Sequence, residues 1–431
     1  SQYDGINLMN GGGESQMAGV PKVVIIGAGF GGLQCAKKLE NKPVEVTLLD
    51  RNNYHLFTPL LYQVASSLLN PSDIAQPVRS ILRGHRNLVF RQAEVTGVDF
   101  DAKRVLTHDA GDFAYDYLVI AAGSTTNFFG VAAAEQRSEG LKDLSEALGL
   151  RNHTLHCLEE AAATGSMEEA RPWLTFVVVG GGPTGVEYSG ALSELIHGVL
   201  PREHPELSAS DVRVVLVEGL DRLLPVFPED LGEEAQRALE ARGVEVMTGL
   251  RVTDASEETV TLSNGDVISA RTLVWAAGVK PAELAAALDV ERSRNGRIEV
   301  DDALRVKGHT DVYAIGDVAS FIQDGKQVPM LSAPAMQGGR QAADNILRTI
   351  AGERLKRFKY HDKGSMATVG KGAAVAQVGR FHFHGYIGWL MWLGVHIYYL
   401  IGFRNRLVVL SGWAWNYVRS DRPVRIIAKA K

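Results

Sequence analysis

Along most of the chain, short apolar runs alternate with longer amphipathic segments, a pattern that predicts β-α-β units and parallel sheets. Lys22 to Ile26 is a compact apolar run, followed by Gly27-Ala28-Gly29-Phe30-Gly31-Gly32 and a helix-like stretch to Glu40. Val44 to Leu49 reads as the next strand and ends at Asp50. About 150 residues later the pattern returns. Thr175 to Val179 leads into Gly180-Gly181-Gly182-Pro183-Thr184-Gly185, a helix through roughly Leu200, and a strand from Val212 to Val217 that ends at Glu218. Three further apolar runs end alike: Tyr115 to Ala121 before Ala122-Gly123, Thr272 to Ala276 before Ala277-Gly278, and Asp311 to Ile315 before Gly316-Asp317.

A single G-x-G-x-x-G is weak evidence, but both copies here have a strand before, a helix after, and an acidic residue closing the next strand. In such a loop the first glycine permits the tight turn and the second lets backbone approach a pyrophosphate. The third lets helix and strand pack closely, while the helix N-terminus offers unpaired N–H groups and partial positive charge to the phosphates. Asp50, 18 residues after Gly32, has the spacing of a carboxylate that hydrogen-bonds ribose hydroxyls. Glu218 comes 33 residues after Gly185, because a Pro- and His-containing loop over Val199–Asp211 lengthens the crossover. A carboxylate there repels a 2′-phosphate, which favours NADH over NADPH, although Arg222 is close enough in sequence to blur the preference. The expected architecture is α/β, with two Rossmann-like dinucleotide-binding domains. The Gly316-Asp317 ending suits an FAD domain yet follows the second module, so that module reads as inserted in the first. The expected boundaries are 21–145 with 280–360 for FAD and 146–279 for NADH. Hydride transfer between a nicotinamide and a flavin needs both rings in one water-poor site, which a tandem of such folds supplies.

A length of 431 residues suits two or three domains. With 45% hydrophobic and 22% charged residues the composition is globular. A net charge of -5 and a pI near 6.2 give no reason to expect a nucleic-acid partner. The two cysteines, Cys35 and Cys157, are far apart and match no metal spacing. They also lack the close spacing of a redox pair beside a flavin, so electrons must leave to a diffusible acceptor. Residues 1–20 lack the basic start and apolar stretch of a signal peptide and read as a disordered leader.

Several segments then resemble the type II NADH:quinone oxidoreductases, the single-subunit, non-pumping NADH dehydrogenases. They are Asn53-Tyr54-His55-Leu56-Phe57-Thr58-Pro59-Leu60-Leu61-Tyr62-Gln63-Val64-Ala65, Ala121-Ala122-Gly123-Ser124-Thr125-Thr126-Asn127-Phe128-Phe129-Gly130, and Trp275-Ala276-Ala277-Gly278-Val279. Tyr313-Ala314-Ile315-Gly316-Asp317 is shared more widely among FAD reductases. The resemblance spans roughly Lys22 to Arg422. It implies non-covalent FAD on Gly27, Gly29, Gly32, Asp50, Gly123 and Asp317, and NADH on Gly180, Gly182, Gly185 and Glu218. It places Glu187 near the nicotinamide–flavin region, where a carboxylate in a low-dielectric cleft has a raised pKa and can donate a proton. A helix-lining role for Glu187 stays open. Pro334-Ala335-Met336-Gln337 matches the family's P-x-A-Q form, which puts Gln337 under the isoalloxazine beside a quinone tunnel. Met336 and Gly339 depart from the pattern at positions bearing on tunnel width. Lys371 is a candidate donor to a quinone oxygen, with a solvated loop lysine as the alternative. No metal is implied.

Quinones live in lipid, so some part of such a chain must touch a bilayer. Four of the six tryptophans are Trp389, Trp392, Trp413 and Trp415. Tyr386 to Phe403 is an 18-residue apolar and aromatic stretch interrupted only by His396. After it come Arg404, Arg406, Arg419, Arg422, Arg425, Lys429 and Lys431 against Asp421 alone. Aromatics beside a basic flank suit an anionic leaflet. At about 1.5 Å per residue the stretch reaches roughly 27 Å, barely a span. In-plane helices, a span and a helix buried in a dimer interface are all open, and the resemblance favours the first. A second apolar piece, Leu407 to Val418, is broken by Ser411-Gly412. Residues 361–431 are thus the expected membrane-anchoring region of a peripheral, homodimeric enzyme. Its expected place is the cytoplasmic face of the inner membrane, with an organellar membrane open. The rival readings are a soluble reductase serving a small iron–sulfur protein, a sulfide:quinone oxidoreductase, and a flavin-bearing scaffold without turnover.

Overall fold

The computed structural model describes residues 19–419, 422 and 424–427. Most of the expected leader, together with Asp421, Lys429 and Lys431, lies outside the described residues. The first module opens with β1 (Lys22–Ile26), whose Val-Val-Ile-Ile run is buried on both faces as a central parallel strand requires. It continues through α1 (Phe30–Lys38), β2 (Glu45–Asp50), the short α2 (Leu61–Ala65), β3 (Leu88–Gln92) and β4 (Tyr117–Ile120). The chain then crosses to β5 (Glu139–Gly140), α3 (Leu144–Ala163), β6 (Thr175–Val179) and α4 (Pro183–Glu203). The same module holds β7 (Arg213–Glu218), β8 (Val244–Thr248) and β9 (Thr272–Trp275). It returns as β10 (Val312–Ala314) and α5 (Ser332–Ile350).

Two five-stranded sheets result, ordered β10-β4-β1-β2-β3 and β5-β9-β6-β7-β8, every pairing parallel. In each, the strand before the glycine loop is central, and the strand ending in the acidic residue lies next to it. β10 pairs with β4 although the whole second sheet lies between them in sequence, so the second module is inserted in the first. The outgoing and returning linkers also pair, Ser124–Thr126 antiparallel to Val279–Pro281. This short ribbon ties the modules together where their carboxyl strand ends converge.

α5 closes the first module by crossing α1 at close range. A Cβ on Gly31 would stand 3.1 Å from the Ala335 carbonyl oxygen, and one on Gly339 would collide with the Gly31 carbonyl oxygen. Gly339, read from sequence as bearing on tunnel width, is therefore a helix-crossing residue.

The chain ends in an antiparallel sheet, β11 (Ser365–Gly370), β12 (Ala373–Val378) and β13 (Phe381–His384), then α6 (Gly385–Tyr399) and α7 (Phe403–Arg419). The break falls at Leu400-Ile401-Gly402, where Gly402 has φ +91°, while α7 runs through Ser411-Gly412 without interruption. No helix among the described residues is long and apolar enough to cross a membrane. The tryptophans expected at a lipid interface are mostly core. Trp389, Trp392 and Trp413 are buried, and only Trp415 faces outward. The basic flank is partly internal as well. Arg406 caps the end of α6 through the Tyr398 and Leu400 carbonyls, at 2.8 Å each, and Arg425 pairs with Glu203 at 2.6 Å. Arg422 is buried, bonding Glu194 at 2.9 Å and Ser66 Oγ at 3.2 Å.

Gly339→Ala should wedge α1 from α5 and cost roughly 1–3 kcal/mol, as overpacking does. Chemical denaturation checks this, and an unchanged midpoint would remove the crossing argument.

Candidate active site

The two glycine loops close identically. In each, the first glycine adopts positive φ, +102° at Gly27 and +111° at Gly180, and packs against the end of a neighbouring strand. A Cβ on Gly180 would lie 2.6 Å from the Ala276 carbonyl oxygen. The third glycines, Gly32 and Gly185, sit so near the first that a Cβ would strike the carbonyl oxygens of Gly27 and Gly180. The second glycines differ. Gly29 (φ -69°) and Gly182 (φ -73°) have backbone angles open to any residue, and a Cβ on either would meet no protein atom. Nothing in the fold demands glycine there, and the bare backbone leaves open space in which a group such as a pyrophosphate could approach. α1 and α4 carry no side-chain cap and no acidic residue in the first turn, which leaves their N–H groups free for that approach.

The closing carboxylates match too. Asp50 accepts the N–H groups of Ala28 and Asn52, both at 2.7 Å. Glu218 accepts those of Gly181 at 2.6 Å and Leu220 at 2.7 Å. Each pins the middle of its loop while lying at the strand end where a ribose would rest. Burial pushes Asp50 up, against the pull of its two N–H partners. Arg222, the residue that blurred the cofactor preference, is tied to the Pro225 and Phe227 carbonyls at 2.9 and 3.0 Å. Its guanidinium holds a loop. His55 adds a support missed from sequence: its Nδ1–H donates to the Ala28 carbonyl at 2.8 Å, and burial keeps the ring neutral.

At the junction, Gly123 (φ +72°) and Gly316 (φ +71°) lie just beyond the ends of β4 and β10. Asp317 follows, accepting the Ser124 hydroxyl at 2.5 Å, and Lys142 from the inserted module donates to that same hydroxyl at 2.9 Å. One Asp317 oxygen is thus held by protein.

Glu187 lies one turn into α4, buried, and accepts N–H groups from Thr368 and Trp392, each at 3.3 Å. Burial pushes its pKa up to about 8, and these two donors offset only part of that rise. The carboxyl therefore carries its proton at neutral pH. Beside it is a cavity of about 20 Å³, room for one water, also lined by Tyr62, Gln63, Lys371 and Arg422. Lys371 is on its wall, with its ammonium on the Tyr417 carbonyl at 2.5 Å and two N–H groups left. Gln337 sits apart from this wall. Its amide exchanges two 2.9 Å bonds with the His361 backbone and pins that connecting segment to α5. Among the described residues no cluster could hold a metal ion.

A family model described as pyridine nucleotide-disulphide oxidoreductase matches residues 21–339. A type II NADH:quinone oxidoreductase of Mycobacterium tuberculosis is 37% identical over 415 residues, 93% of this chain and 89% of its own. One of Staphylococcus aureus is 32% identical over 83% of this chain and 89% of its own. The chain belongs to the type II NADH:quinone oxidoreductases. NDH2 of Plasmodium falciparum in complex with NADH has the same fold, with TM-score 0.88 over 95% of this chain and 100% of its own at 22% identity. A sulfide:quinone oxidoreductase of Aquifex aeolicus follows at TM-score 0.71 and 20% identity, covering 95% and 93% of the two chains.

Both cysteines of this chain are packing residues. Cys35 is buried in α1 and Cys157 in α3, and burial raises both thiols, Cys157 to about 11.

Glu187 also sets a pH dependence. Its folded value near 8 exceeds the roughly 4.3 of an unfolded chain, so the folded state binds the proton more tightly. Relative to Glu187→Gln, stability should be level in acid and fall as pH rises between those values. The slope should approach about 1.4 kcal/mol per unit and flatten above pH 8. Denaturation at pH 5 and pH 8 checks this. An equal gap between the two proteins at both pH values contradicts it.

Proposed function

We propose that this protein oxidises NADH and reduces a membrane quinone through bound FAD, without pumping protons. The observation that carries the reading is the pair of matched loops, each with a second glycine that no protein neighbour requires, converging on one junction. The first module holds FAD, on Gly27, Gly29, Gly32, Asp50, Gly123 and the free oxygen of Asp317. Residues 146–279 hold NADH, on Gly180, Gly182, Gly185 and Glu218. FAD, when bound, accepts a hydride from NADH and passes two electrons to the quinone, which also takes two protons. Glu187 keeps a proton at its carboxyl beside the cavity and supplies one of them. Gln337 fixes the start of α5 at the flavin, and Lys371 offers its remaining N–H groups to a quinone oxygen.

The outer face of α6 and α7 supports the lipid side of the reading. Tyr386, Ile387, Leu390, Tyr398, Phe403 and Leu407 are all exposed there, Phe403 at 76%. This exposed apolar face suits helices lying in the interface plane of a membrane. The family resemblance also implies a homodimer.

Steady-state NADH oxidation with a soluble quinone analogue tests the activity, and no quinone-dependent rate would end the reading. Glu218→Arg should narrow the preference for NADH over NADPH at least tenfold in kcat/KM, about 1.4 kcal/mol; an unaltered ratio would refute the ribose assignment. Replacing Ile387, Tyr398 and Phe403 together by glutamate should release the protein from anionic vesicles while NADH still bleaches the flavin. Continued co-sedimentation would contradict the lipid-facing surface.

A further inference from the structure

The direction of each hydrogen bond beside the Glu187 cavity can be deduced from chemistry. An indole N–H only donates. Trp413, on the inner face of α7, donates Nε1–H to Gln63 Oε1 at 2.8 Å. This turns the Gln63 NH₂ the other way, where it donates to the Tyr62 hydroxyl oxygen at 2.8 Å. The Tyr62 oxygen is therefore an acceptor in that bond, and its own hydrogen is left to give. Among the described residues the Tyr62 hydroxyl makes no second hydrogen bond. Tyr62 is 5% exposed and Gln63 3%, and both line the cavity that holds Glu187. A buried O–H without an acceptor carries an energetic cost that calls for an explanation. Burial pushes the phenol well above its usual value, so it keeps that hydrogen across the working pH range.

We propose that Tyr62 donates this hydrogen bond to a carbonyl oxygen of the quinone, and that Trp413, acting through Gln63, aims it. The inference rests on the quinone reading above. The cavity has room for one oxygen-sized group, so it takes the carbonyl tip of the acceptor while the ring stays outside. Tyr62 is then a catalytic residue, and Gln63 and Trp413 are positioning residues. The helix carrying Trp413 presents Leu407, Leu410 and Trp415 on its outer side. Seating that helix and aiming the donor are thus one event.

The test uses the full-length, flavin-loaded protein in anaerobic stopped flow, with NADH to bleach the flavin and a water-soluble short-chain benzoquinone to restore it. Tyr62→Phe should slow restoration about tenfold, with bleaching by NADH at the wild-type rate. Trp413→Phe, which keeps an aromatic ring but frees the Gln63 amide to turn, should slow the same step about threefold and raise the quinone KM. Should Tyr62→Phe destabilise the fold, the Trp413 variant carries the test by itself. Restoration at the wild-type rate in both variants would mean the hydroxyl faces only a water, and overturns the proposal. Parallel slowing of both half-reactions would make the tyrosine a packing residue and overturns it equally. If wild-type flavin is bleached yet not restored by the quinone, the quinone reading itself falls.

Discussion

Everything in this molecule depends on how closely a helix can approach the strand that precedes it. In both modules the third glycine of the loop rests against the carbonyl of the first, and a methyl group at either place would force the turn open. That contact aims each helix N-terminus at the strand ends, and the acidic residue closing the next strand holds the loop's middle peptide in place. The same constraint recurs at the crossing of α1 and α5, where Gly31 and Gly339 remove the side chains between two backbones. Small residues set the distances, and the unpaired N–H groups they expose provide the sites.

Much of this was legible in the sequence because it is local. The strand, glycine loop, helix and acidic strand end lie within about thirty residues, and their spacing already states the geometry. The insertion was legible from the order of two glycine-containing strand endings. What the sequence could not reveal were the long-range partners. The 2.9 Å pairing of Gln337 with His361, the ammonium of Lys371 on the Tyr417 carbonyl, and the neutral His55 under Ala28 join residues whose proximity no period encodes.

The tail shows the same limit from another side. Tryptophans and arginines together suggested a membrane belt, yet composition alone does not distinguish an aromatic facing lipid from one facing protein. Trp392 is spent on Glu187 and Trp413 on Gln63, and Arg406, Arg422 and Arg425 bond internal carbonyls and carboxylates. The outward apolar face is built from Ile387, Tyr398, Phe403 and their neighbours instead. A single pair of helices thereby has two faces: one walls a buried carboxyl, and the other carries exposed apolar side chains.

The most direct measurement is a visible spectrum of the purified protein, titrated without oxygen first with NADH and then with a soluble quinone. The account predicts a yellow flavin band that stoichiometric NADH bleaches and the quinone brings back. A colourless polypeptide that refuses flavin, or a bound flavin indifferent to NADH, would contradict it.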